Sequence, residues 1–96
     1  MKYTPEQVES EREEFKKIAE QLIDLKTKKG ADYGNSWSLM GLIGIICQIM
    51  SKAIRLWNLK DKEPDNEPLR DTFRDIAVYG LMGIALIDRN DINPKI

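Results

Sequence analysis

The chain has 96 residues, 42% of them hydrophobic and 32% charged, which is the balance of one folded domain rather than of a disordered segment. Its formal net charge of −1 gives no basic field to attract DNA or RNA, and the absence of histidine excludes Ser-His-Asp catalysis. A single cysteine, Cys47, excludes an internal disulfide and is typical of a reducing compartment. We therefore expect one domain over residues 1–96 in the cytoplasm, with no signal peptide and no membrane partner.

The first predicted helix runs from about residue 5 to residue 29. Thr4 is suited to cap its start, and Gln7 completes a capping box. Gly30 follows a lysine-rich last turn and is the residue type that ends helices in a left-handed conformation. We therefore expect a turn-rich connection over residues 31–37.

The second predicted helix covers about residues 38–59 and is apolar around most of its circumference. Its one polar stripe is formed by Gln48, Ser51, Lys52 and Arg55. A helix that is apolar on most sides is a central, buried helix.

The third predicted helix covers about residues 67–88, and residues 89–96 are expected to form a loose tail. Glycines lie one turn apart in the second helix, at Gly41 and Gly44, and in the third, at Gly80 and Gly83. Glycines inside a helix are costly, so we expect a close approach of these two helices. The predicted fold is all-α: a three-helix protomer that completes a helical bundle by homo-oligomerisation.

Three acidic residues, Glu67, Asp71 and Asp75, share one face of the third helix because they are spaced by four. Such a face is suited to Mg²⁺, although nothing in the sequence requires a cofactor. The alternative is structural, since acids in a first turn complement the helix dipole.

Lys52 and Arg55, preceded by Gln48, form a cationic stripe with two interpretations. Either they bind phosphates, to which Arg presents a bidentate fork, or they pair with Asp71 and Asp75.

The predicted connection contains two aromatic residues, and exposed aromatic rings are expensive unless they anchor a fold or stack on a flat ligand. Tyr33 and Trp37 are therefore candidates to flank a nucleotide base, with Lys29 and Asp32 beside them. The alternative is that Trp37 packs the second helix onto the first.

These segments together resemble a known family. The order is Lys29-Gly-Ala-Asp-Tyr-Gly-Asn-Ser-Trp37, Gly41-Leu-Ile-Gly-Ile45, Lys52-Ala-Ile-Arg55 and Glu67-Pro-Leu-Arg-Asp71-Thr-Phe-Arg-Asp75-Ile-Ala-Val-Tyr79. It resembles the nucleotide-modification-associated domain family of phages and bacteria, and more distantly the MazG-like nucleoside triphosphate pyrophosphohydrolases.

The resemblance implies an oligomeric helical bundle that handles nucleotides, with the residues named above as its site. MazG-like enzymes resemble one another in a glutamate cluster that holds Mg²⁺, whereas the second helix here contains no Asp or Glu. We therefore expect binding rather than catalysis.

Three hypotheses follow. The first is a non-catalytic nucleotide-binding protein; the resemblance to a family of phages and bacteria and the small size suggest a phage protein that sequesters a cyclic or ADP-ribose-type immune signal in the host cytoplasm. The second is a Mg²⁺-dependent MazG-like pyrophosphohydrolase, and the third is a structural helical adaptor.

Overall fold

The computed structural model describes residues 2–33, 36–62 and 67–95, apart from the side chains of 29–33 and 36. These residues form helices and turns with no strand, which confirms the predicted all-α class. The helices are α1 (Pro5–Tyr33), a short 3₁₀ helix (Ser36–Met40), α2 (Gly41–Leu59) and α3 (Glu67–Asp88).

The start of α1 has the predicted capping box, but its end lies further along the chain than predicted. The Thr4 N–H donates to Gln7 Oε1 at 2.8 Å, and the Gln7 N–H donates to Thr4 Oγ1 at 3.1 Å. The helix then continues through Gly30 to Tyr33 instead of ending at residue 29. A glycine inside a helix costs only about 1 kcal/mol, and the alanine that follows is the strongest helix former, so the glycine does not stop it.

The predicted second helix is interrupted near its start. Residues Ser36–Met40 form the 3₁₀ helix, and α2 begins only at Gly41, whose φ of +68° lies in the left-handed region. Gly41 is therefore a junction between two helices and not the mid-helix glycine that the sequence suggested. A Cβ at this position would lie 2.6 Å from the backbone nitrogen of Pro94.

The C-terminal tail causes this crowding, because it is docked rather than loose. The Leu42 N–H donates to the Ile92 carbonyl at 2.8 Å, and the Lys95 N–H donates to the Leu39 carbonyl at 3.1 Å. The first N–H groups of a helix have no partner inside the helix. The tail supplies one of them with an acceptor, which corrects the prediction of a loose tail over residues 89–96 as far as the structure describes it, to residue 95.

Helices α2 and α3 pack against each other and enclose the core. Ile45 is 1% exposed and Leu86 is 0% exposed. Gly83 lies at this interface, where an added Cβ would meet Ile45 and Leu42 side-chain atoms at 3.9 Å. That is ordinary contact, and Gly80 faces open space. Of the two glycines in α3, only Gly83 therefore lies against α2, and the two helices do not approach each other unusually closely there.

The expectation that α2 is buried on most sides is wrong for a single chain. One face packs on α3, and the opposite face leaves Ile43, Met50 and Ile54 each at least 60% exposed. The first half of α1 likewise exposes apolar side chains, Phe15 among them at 57%. Homo-oligomerisation stays a prediction, since only one chain is present.

Candidate functional site

The C-terminal part of α2 carries an open cleft of about 450 Å³, which we call the cationic cleft. Its lining residues recur at helical spacing and so share one face: Ser51, Lys52, Ile54, Arg55, Asn58, Leu59 and Lys62. Three of them are cations, and none of the lining residues is acidic. Phosphate groups are the ligands that such a set of ammonium and guanidinium donors binds best.

A second, smaller cleft of about 220 Å³ lies between α1 and α3, and we call it the interhelix cleft. It is lined by Leu25, Lys26, Asp75, Val78, Tyr79 and Met82. Pockets that hold whole small molecules usually measure about 300–1,000 Å³. The interhelix cleft is therefore large enough for one part of a nucleotide, such as a base, but not for the whole of it.

An ion pair connects the two clefts. Lys52 Nζ lies 3.2 Å from Asp75 Oδ2, and the two side chains are 29% and 40% exposed. Lys52 lines the cationic cleft and Asp75 lines the interhelix cleft. Because solvent screens a pair of this exposure, it contributes at most about 1 kcal/mol to stability. An incoming phosphate can therefore replace the carboxylate at little cost.

Trp37 lies beside the interhelix cleft and is covered by two cations. Lys26 Nζ lies 5.3 Å from the centre of the indole ring, and the Arg89 guanidinium carbon lies 5.4 Å from it. These contacts tie the 3₁₀ helix to α1 and to the residue that follows α3. They support the interpretation that Trp37 packs the second helix onto the first, and stacking of the indole on a base stays a prediction.

The acidic face of α3 is divided between different cations. Asp71 Oδ1 accepts a hydrogen bond from Arg74 at 2.9 Å, whereas Asp75 pairs with Lys52. In the described part of the chain, no three His, Cys, Asp or Glu side chains are grouped so that they could hold a metal ion. Glu67 has an interaction of its own. The Mg²⁺ site at these three acids stays a prediction.

The other predicted residues lie outside the two clefts or outside the described side chains. Gln48 is half-buried one turn before Lys52 and does not line either cleft. The backbone of Lys29, Asp32 and Tyr33 belongs to the last turns of α1, but their side chains are not among those described.

The lining residues that sequence reasoning missed include Lys26, Lys62 and Tyr79. Lys26 could be interpreted from the sequence only as a complement to the helix dipole. Lys62 lay in a predicted loop, and its neighbours in space were unknown. Tyr79 belongs to the segment that carries the family resemblance, and its place in that segment was the one indication that it could be a site residue.

A family model described as nucleotide modification associated domain 1 matches residues 29–87. The chain belongs to this family. No curated protein and no solved structure matches the chain. The match does not extend to the MazG-like enzymes, so that more distant similarity stays a prediction.

The nucleotide modification associated domain contains all of the cationic cleft, since residues 51–62 lie within 29–87. A groove of about 480 Å³ lies elsewhere between α1 and α3, and half of its lining residues belong to the part of α1 before residue 29: Ile18, Gln21, Leu22 and Leu25. The family match therefore favours the cationic cleft over that groove as the site.

Proposed function

We propose that this protein binds a nucleotide, with the phosphates in the cationic cleft and the base in the interhelix cleft. The observation that carries the proposal is the Lys52–Asp75 pair, because it places a three-cation surface next to a base-sized cleft. The description of the family, nucleotide modification associated, supports a nucleotide as the ligand.

Each cation has a distinct part in this proposal. Arg55 is exposed and presents a planar fork that binds two phosphate oxygens at once. Lys62 adds a mobile point charge, and Lys52 exchanges Asp75 for a phosphate oxygen. In the interhelix cleft, Tyr79 offers an aromatic ring and Val78 an aliphatic surface to the faces of a base.

The proposal is binding without cleavage, as a sequestering protein would do. Pyrophosphate cleavage by a metal-bound water needs carboxylates that position the metal beside the phosphates. Helix α2, which carries Lys52 and Arg55, contains no Asp or Glu. Asp75 of α3 is paired with Lys52, and Asp61, which follows α2, is paired with Lys60. These features support retention of the intact ligand.

The proposal is tested by calorimetric titration of the full chain with ADP, ATP and a cyclic dinucleotide. Removal of a charge-assisted hydrogen bond costs about 1.5–3 kcal/mol, so Arg55→Ala should weaken binding about 10- to 100-fold. Lys16→Ala is the matched control, because Lys16 is an exposed cation on α1 away from both clefts. Equal losses in the two variants, or no binding at millimolar nucleotide, would refute the site.

Recovery of the ligand decides between binding and hydrolysis. We expect chromatography after incubation with Mg²⁺ to return the nucleotide intact. Cleavage that requires Mg²⁺ and is lost in Asp75→Asn would instead establish the pyrophosphohydrolase hypothesis.

A further inference from the structure

One face of α2 carries an apolar row that is largely exposed in the described part of the chain, where Lys60 Nζ lies 4.4 Å from the centre of the Trp57 ring. The row, which we call the α2 seam, consists of Ile43, Cys47, Met50, Ile54 and Trp57. Their spacing of four, three, four and three is the heptad spacing at which two helices pack against each other. The four large side chains are 63%, 60%, 63% and 71% exposed in chain order, and Cys47 is also exposed.

The seam is not needed to hold α2 against its own chain. The packing of α2 on α3 uses the opposite face, which includes the buried Ile45 and the half-buried Ile49. A contiguous apolar row of this length along a helix is typical of an interaction surface, because exposed apolar surface carries a cost of about 25 cal/mol per Å².

We propose that the α2 seam packs against the α2 seam of a second copy, with the two helices antiparallel. Ile43 and Trp57 lie seven residues to either side of Met50, and Cys47 and Ile54 lie three and four residues from it. A two-fold axis near Met50 would therefore place the apolar side chains of one copy opposite those of the other. This inference does not depend on the nucleotide proposal.

Charge selects the antiparallel orientation. Residues 37–51 contain no charged side chain, and every charge of α2 lies in its C-terminal part, at Lys52 and Arg55. Lys60, Asp61 and Lys62 follow, and Asp61 pairs with Lys60, so residues 52–62 carry four cations and one acid. Parallel packing would bring two sets of cations together, whereas antiparallel packing places each set beside the uncharged half of the partner and also opposes the helix dipoles.

A lipid bilayer is the rival occupant. By length and composition alone, Trp37–Leu59 is apolar enough to cross a membrane, and 11% of its most apolar window is buried. A helix in the bilayer interior must, however, keep charges off its lipid-facing surface. Lys52 and Arg55 lie in the last third of the segment, and Lys52 is paired with Asp75 of α3. Only one face of the segment is free of charge over its whole length, which matches a helix partner better than lipid on all sides.

Sedimentation of the full chain tests the dimer. The wild-type protein should sediment at twice the 11.1 kDa chain mass at 50 μM, without detergent. Met50→Glu should sediment as a monomer, with self-association weakened at least 100-fold, because the seam would bury an unpaired charge. Ile84→Glu is the matched control: Ile84 is 59% exposed on α3, and this variant should remain a dimer. Circular dichroism checks that both variants are folded.

A spin label at position 58, in the Cys47→Ser background, tests the orientation. With a rise of 1.5 Å per residue and an axis near Met50, the two labelled backbones lie about 25 Å apart if antiparallel, and about 10 Å apart if parallel. A monomeric wild-type chain that binds anionic phosphatidylglycerol vesicles would overturn the proposal in favour of lipid. A short distance, or a Met50→Glu variant that still dimerises, would overturn it as well.

Discussion

At the scale of single residues, Gly41 is the position with the strictest requirement. It joins the 3₁₀ helix to α2 with φ at +68°, a conformation that costs a residue with a Cβ about 1–2 kcal/mol. It is also buried under the tail, where a Cβ would approach the Pro94 nitrogen to 2.6 Å and the Asn93 carbonyl carbon to 2.8 Å. Backbone strain and steric overlap with the tail would therefore both destabilise a variant with a side chain at this position.

We expect Gly41→Ala to lower the free energy of unfolding by about 2 kcal/mol or more, measured by urea denaturation. Gly80→Ala is the matched control in the same chain. Gly80 lies within α3 and faces open space, so alanine should raise the free energy of unfolding by about 0.5–1 kcal/mol. Equal effects of the two substitutions would show that the junction at Gly41 is not as described.

The partner of Lys52 shows how far a single residue can be predicted. The sequence left two predicted partners for Lys52, a phosphate or the acids Asp71 and Asp75 of α3. Helical spacing shows which residues share a face of a helix, but it does not show what that face contacts. The structure selects Asp75, at 3.2 Å. Asp71 is taken by Arg74 on its own helix. That local i,i+3 pair joins two residues at a spacing that the sequence alone shows to be adjacent on a helix.

At the scale of whole elements, the docking of the C-terminal tail is the feature that could not be predicted from the sequence. Two backbone hydrogen bonds attach residues 92–95 to the 3₁₀ helix at Leu39 and to the start of α2 at Leu42. Lys95 Nζ also pairs with Asp91 at 2.8 Å. The bonding partners are carbonyl and N–H groups that every residue has. The contact therefore could not be predicted from the pattern of side chains.

Deletion of residues 92–96 should lower the free energy of unfolding by about 2 kcal/mol, since it leaves the Leu42 N–H and the Leu39 carbonyl without their partners in the tail. Lys95→Ala keeps the backbone contacts and removes only an exposed ion pair, so it should change stability by less than about 1 kcal/mol. Thermal denaturation of both variants measures the difference. A truncated chain as stable as the wild type would contradict the docking of the tail.

Helix α1 illustrates the opposite case. Its capping box was predictable because Thr4 and Gln7 are three residues apart and act on each other locally. Its end was not, because the signal at Gly30 is a preference of about 1 kcal/mol that helix continuation overrides.

At the scale of the whole molecule, the protein has a thin core. Among the described residues, only two large hydrophobic side chains, Ile45 and Leu86, are buried, and both lie between α2 and α3. Many other apolar side chains remain on the surface of the single chain, so stability should depend strongly on these two.

Leu86→Ala should lower the free energy of unfolding by about 2–5 kcal/mol, through lost burial and the cavity that it leaves. Ile87→Ala is the matched control on the next residue of α3, where the side chain is 59% exposed, and it should cost less than about 1 kcal/mol. Guanidinium denaturation of the two variants at one protein concentration makes the comparison. Similar losses would mean that Leu86 is not the core residue that its burial indicates.

The sequence by itself determined the helical class, the capped start of α1, the cations of α2 and the family to which the chain belongs, because these depend on residue type and short spacing. Only the tertiary structure decided which residues meet. The pairing of Lys52 with Asp75, the interhelix cleft at Tyr79, and the left-handed junction under the tail all depend on how separate segments are placed. Within a helix, the spacing of three or four residues determines which side chains are neighbours. Contacts between separate segments depend instead on how the side chains pack and on backbone hydrogen bonds, and backbone groups are the same in nearly every residue.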